Sequence, residues 1–109
     1  GLEKCKELND CSIEIYIALS DVLLLIGDFN DAVKVLVSAQ ETYKDAAEIE
    51  YRLSGLSILL NNENKALTHL VNGMELDYDQ HIIMKDLFPI VFVNLKVQEL
   101  LSNYKKAME

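Results

Sequence analysis

The chain says the same thing twice. Leu19 returns as Leu53, Ser20 as Ser54, Leu25 as Leu59, Ala32 as Ala66, Leu36 as Leu70 and Ala39 as Gly73. All of these positions are small or aliphatic, and all fall in one register. A fixed period of about 34 residues marks a repeat architecture. The physical reason is packing: one helix pair cannot bury its apolar face alone, so like units stack and the same positions meet a neighbour each time.

Within each period the apolar spacing is helical. The single Pro and four Gly, set against many Leu, Ile, Ala and Glu, favour an all-α chain. Ser12 is placed to cap a helix over Ile13 to Ile26, its hydroxyl accepting from a free first-turn amide. Gly27 ends that helix. Asp28 or Asn30 starts a second, to Tyr43, on which Ala32, Val35, Leu36 and Ala39 follow the helical period. Asp45 is expected to cap a third helix over Ala46 to Leu60, and the polar run Asn61-Asn62-Glu63-Asn64 to turn the chain into a fourth, Glu63 to Leu76. A fifth, Gln80 to Leu87, meets Pro89, which lacks an amide hydrogen and disfavours helix at the residue before it. A break there, a short turn over Ile90 to Leu95 and a last helix over Val97 to Ala107 complete the reading.

Tyr16, then Leu19-Ser20, then Gly27-Asp28-Phe29, then Ala32, Leu36 and Ala39, resembles the tetratricopeptide repeat (TPR). The second unit departs from the pattern: Glu50 stands at the position usually held by Trp, with Tyr51 beside it, Asn61-Asn62-Glu63 replaces the turn, and Tyr78 replaces the terminal Pro. The resemblance implies a TPR-type solenoid, a right-handed superhelix of antiparallel helix pairs closed by a C-terminal capping helix. Residues 1–12 would end a preceding repeat, because Cys5 falls in register with Ala39 and Gly73. Residues 13–46 and 47–80 would be full repeats, and 81–109 the cap. The natural protein is then expected to extend further at its N-terminus. The segments Phe88-Pro89 and Val97-Gln98-Glu99-Leu100 resemble the closing ends of bacterial multi-repeat TPR proteins. Tyr16, Leu19, Ser20, Gly27, Ala32, Leu36, Ala39, Leu53, Ser54, Ala66, Leu70 and Gly73 are the expected structural positions.

In that family the first helices of successive units line a concave groove that takes a partner peptide or helix. Carried onto this chain, the groove would present Ile17, Asp21 and Leu24, beside Glu14, from the first unit. The second would add Glu48, Tyr51, Arg52, Gly55 and Ile58, and the cap Lys85 and Ile82. The Lys and Asn set by which some members clamp a terminal carboxylate is missing, since Ile17, Asp21, Arg52, Ile82 and Asp86 stand in its places. Tyr51 and Arg52 are the residue types most often decisive at interfaces. The expected function is a non-enzymatic interaction scaffold for a protein or peptide partner. The alternatives are a structural cap closing a longer array, or a regulatory module of a larger enzyme or transcription regulator.

Charge narrows the partner further. Ten Lys and Arg against 18 Asp and Glu leave −8 overall, and between Asp10 and Leu95 there are 14 acids and 5 bases. Phosphate-driven nucleic-acid binding needs the opposite sign, and so does an anionic membrane surface. No apolar run approaches the ~20 residues of a membrane span. Two cysteines are too few for a disulfide framework, which favours a reducing, cytoplasmic setting. Asp77-Tyr78-Asp79-Gln80-His81 lacks zinc or calcium spacing and reads as an inter-repeat loop, so no metal, cofactor or catalytic residue is expected. His69 reads as an exposed or half-buried surface residue, and Glu48, Glu50 and Glu63 as a solvated face. Leu2, Cys5 and Leu8 form an apolar strip through which the N-terminal helix could self-associate.

Overall fold

The echo in the letters is an echo of hydrogen bonds. The computed structural model describes residues 12–108. Helix α1 (Ile13–Leu25) and helix α2 (Phe29–Thr42) form one hairpin, and α3 (Ala47–Leu59) and α4 (Glu63–Asp77) form another. Ile13 and Ala47, and again Phe29 and Glu63, begin matching helices at the offset of the repeated letters. At the first turn Ile26 N donates to Val22 O, Gly27 N to Leu24 O, Asp28 N to Leu23 O and Ala32 N to Asp28 O. At the second, Leu60, Asn61, Asn62 and Ala66 make the same bonds to Leu56, Ile58, Ser57 and Asn62. Gly27 and Asn61 carry positive φ angles, +83° and +62°. Asn is the residue that best replaces Gly in the left-handed region, so the altered turn sequence keeps the turn.

The chain divides between Lys44 and Asp45 into two compact units. In the first, Tyr16, Ser20, Ala32, Leu36 and Ala39 are buried, and the Tyr16 ring meets Tyr43 edge-on at 6.4 Å. The small residues of α2 let the two helices approach closely. Ala32 has no exposed surface. Ala32→Leu is therefore expected to overpack the hairpin by ~1–3 kcal/mol and to lower the melting temperature; an unchanged melt would contradict its equivalence with Ala66.

The second unit is larger. After α4 comes a 3-10 turn (Tyr78–His81), then α5 (Ile82–Leu87), α6 (Pro89–Phe92) and α7 (Leu95–Met108). The segment expected as an inter-repeat loop is thus helical, with the His81 Nδ1 held 2.6 Å from Tyr78 O. Pro89 breaks the chain as expected: Phe88 leaves the helical region and Pro89 occupies the first position of α6, where its missing amide is no loss. Tyr78 stacks on Tyr104 at 5.4 Å and its hydroxyl donates to Leu101 O, which pins α7 to the 3-10 turn. Among the described residues every helix is α or 3-10 and there is no strand.

Caps differ from expectation in detail. Ser12 holds the N-cap position of α1 without a side-chain bond to the first-turn amides. Its hydroxyl instead joins Glu14's own amide, the larger influence, in holding that carboxyl below the usual range. Ala46, not Asp45, is the N-cap of α3. Asn62 caps α4 by accepting from Lys65 N, and Asn94 caps α7 by accepting from Lys96 N and Val97 N at 2.9 and 3.2 Å.

Candidate functional site

The residues assigned to a groove lie on α1 in the first unit and on α3 and α5 in the second. On α1, Ile17, Asp21 and Leu24 share one side at i, i+4, i+7, all half-buried. The stretch expected to contribute Leu2, Cys5 and Leu8 lies outside the described residues. Of the repeat positions, Tyr16, Ser20, Ala32, Leu36, Ala39, Leu53, Ser54, Ala66, Leu70 and Gly73 are buried; Leu19 is half-buried and Gly27 exposed.

In the second unit α3 is buried from Ala47 to Ser57 except at the half-buried Glu48. Tyr51, expected to meet a partner, has no exposed surface. Its ring lies against Gly73, where a Cβ would come within 3.1 Å of the ring, and its hydroxyl donates to Asp77 O at 2.8 Å. Burial is the main reason, and nearby Asp77 the next, that this phenol's pKa is raised far above the ordinary tyrosine value. Arg52 is also buried, and its Nη1 donates to Glu48 O. Both are therefore parts of the fold rather than open anchors.

Gly55 shows why. A Cβ there would fall 2.5 Å from Cγ and Cδ2 of Phe88, so the Phe88 ring rests on the α3 backbone itself. Phe88 is 3% exposed, and Met84 and Val91 on either side of it are fully buried. The chain's own segment from α5 to α6 thus occupies the face of α3 that the resemblance gave to a partner. Ile58 and Glu48 stay half-buried and Lys85 exposed. Mid-helix glycines carry the signal that could have shown this, because a glycine costs ~1 kcal/mol against alanine in a helix and is retained where another group must come close.

Glu50 corrects another expectation. It is 6% exposed rather than solvated, and its Oε2 lies 2.8 Å from His69 Nδ1. A charge so placed needs a partner, and His69 supplies one. Glu63, half-buried, holds Lys96 at 2.9 Å and accepts from Asn94 Nδ2, with Lys96 the leading cause of its lowered carboxyl pKa. That pair ties the start of α4 to the start of α7.

An open cleft of about 580 Å³ lies between α4 and α7, lined by the apolar Leu67, Val71 and Leu100 and by the polar or charged Thr68, Asn72, Lys96, Glu99 and Asn103. Thr68 is partly committed, its hydroxyl donating to Asn64 O. Among the described residues no cluster of His, Cys, Asp and Glu has the grouping of a metal site, and no helix is long and apolar enough to cross a membrane. Compared with known proteins, the chain matches no family model, no curated protein and no solved structure.

Proposed function

We propose that this chain is a non-enzymatic protein-interaction module of the tetratricopeptide kind, whose last hairpin is closed by its own C-terminal segment and whose partner is met by the first. The recurrence of the same turn hydrogen bonds in both hairpins supports the repeat reading. The observation that carries the division of labour is the Phe88 ring on Gly55: it fills the face of α3, whereas Ile17, Asp21 and Leu24 on α1 stay only half-buried. Rigid display of a preformed helix face limits the ordering cost of binding, which suits a module with no chemistry of its own.

The test is capture from a native lysate by the unmodified chain and two variants of equal helicity. Ile17→Ser with Leu24→Ser is expected to lose the partner; Glu48→Ala with Lys85→Ala is expected to keep it. Loss in the second variant alone, or no dependence on either, contradicts the reading.

A further inference from the structure

Position 73 is glycine for a reason of packing. At the repeat offset its counterpart is Ala39, and the counterpart of Tyr51 is Ile17. The second hairpin therefore carries the larger residue on its first helix and the smaller one on its second. Tyr51 has no exposed surface, and its hydroxyl donates to Asp77 O at 2.8 Å and to Tyr78 O at 3.3 Å, which fixes the ring over Gly73. A Cβ at position 73 would stand 3.1 Å from Cε1 and Cζ of that ring, so in a close-packed interior an alanine there would push the ring aside.

The residue before this glycine gives it a chemical consequence. Of the chain's eight asparagines only Asn72 precedes a glycine, and Asn72 is exposed. The backbone amide that follows an asparagine can attack the side-chain carboxamide. Any Cβ on the attacking residue obstructs the approach, whereas glycine has none and turns readily into the required geometry. In this reaction the Gly73 nitrogen gives up its proton to water and bonds to Asn72 Cγ. The Cγ–Nδ2 bond breaks and ammonia leaves, which closes a succinimide ring. Water then opens the ring at one carbonyl or the other, leaving aspartate or isoaspartate at position 72. The first hairpin has Ser38-Ala39 in the corresponding places, so this chemistry is confined to the second.

Two features of the fold withhold the reactive geometry. Asn72 and Gly73 lie inside α4, where a backbone amide is engaged by the carbonyl four residues before it and cannot also face the preceding side chain. A helix opens locally at a cost that its packing sets, and at Gly73 that packing is the Tyr51 ring. We infer that Asn72 is a deamidation site that the seating of Tyr51 on Gly73 keeps closed, so that it is modified only in chains whose second hairpin has opened. The change is one-way. A carboxylate at position 72 stands three residues before Glu75, a like-charge spacing that weakens a helix. Isoaspartate adds a methylene to the main chain of α4 and breaks its hydrogen-bond register. Either product opposes the return of the ring to its seat, so an opened chain is permanently marked.

The test follows deamidation by mass spectrometry of the tryptic segment 66–85, in which Asn72 is the only asparagine, after incubation of the whole chain in mildly alkaline buffer. The same segment free in solution is the unprotected reference. It is expected to deamidate at Asn72, and the unmodified chain at least tenfold more slowly. Tyr51→Phe, which keeps the ring, is expected to stay near the unmodified rate. Tyr51→Ala is expected to react at least tenfold faster than the unmodified chain. It should also outpace Phe88→Ala, which removes a buried ring from the same unit but one that seats on Gly55 instead. If Tyr51→Ala does not fold, Tyr51→Leu takes its place, since it fills part of the volume without covering Gly73. An unmodified chain that reacts as fast as the free segment would overturn the inference. So would a Tyr51→Ala or Tyr51→Leu rate no higher than the unmodified one, or a Phe88→Ala rate that matches it, since general loosening rather than this seat would then control the reaction.

Discussion

Phe88→Ala is expected to lower the unfolding free energy by about 3–5 kcal/mol, the range for deleting a fully buried aromatic. Its ring is 3% exposed and rests against the backbone of α3 at Gly55, so its removal leaves a cavity that the helix cannot collapse to fill. The partner substitution makes the test sharper. Gly55→Ala should gain roughly 1 kcal/mol of helix propensity but drive a methyl to 2.5 Å from the inner ring atoms of Phe88. Overpacking of ~1–3 kcal/mol outweighs that gain, so the single variant should be destabilised. In the Phe88→Ala background the obstacle is gone and the same Gly55→Ala change should be neutral or stabilising. A urea-denaturation cycle reads the coupling directly. Equal costs of Gly55→Ala in both backgrounds would mean that the ring does not seat on α3, and the closed face would lose its basis.

Much of the local fold is legible from periodicity, and the reasons are visible in particular residues. Ala32, Leu36, Ala66 and Leu70 have no exposed surface, because a helix pair can come together only where side chains are small or aliphatic on the facing side; spacing alone reports that. The turn survives a complete change of letters from Gly27-Asp28 to Asn61-Asn62, since both first residues tolerate the same backbone region. The break at Pro89 is equally local, a consequence of ring geometry.

Long-range contacts are not legible in this way. Nothing near Tyr51 in the chain says that Gly73, on the next helix, leaves room for its ring, or that Asp77 offers a carbonyl to its hydroxyl. An aromatic beside an Arg then reads as an interface pair when both are buried. Glu50 is misread likewise, because its counterpart His69 lies on the following helix. Gly55 holds the available clue: a glycine in mid-helix asks what approaches it. The Asn94 cap and the Glu63–Lys96 pair depend on where α7 begins, which a helix expected from Val97 hides.

Tyr51 gives the second large effect and separates a structural from a binding role. Tyr51→Ala should cost about 3–5 kcal/mol through the cavity left against Gly73, whereas Tyr51→Phe keeps the ring and removes only what the hydroxyl donates to Asp77 O and, at 3.3 Å, to Tyr78 O, about 1 kcal/mol. Linkage adds a pH signature with a definite sign. The fold raises the pKa of this phenol, chiefly by burying it, so the folded chain holds the proton more tightly than the unfolded one. Its stabilisation is complete below the unfolded tyrosine value near ~10 and is lost as pH rises beyond it. Denaturation midpoints should therefore fall more steeply above that pH for the unmodified chain than for Tyr51→Phe. Parallel profiles would show that the hydroxyl is not buried. If the difference is seen, any partner lost on Tyr51→Ala is lost through the fold, and the surface that binds must be sought on other residues, with Ile17 and Leu24 on α1 the first to test.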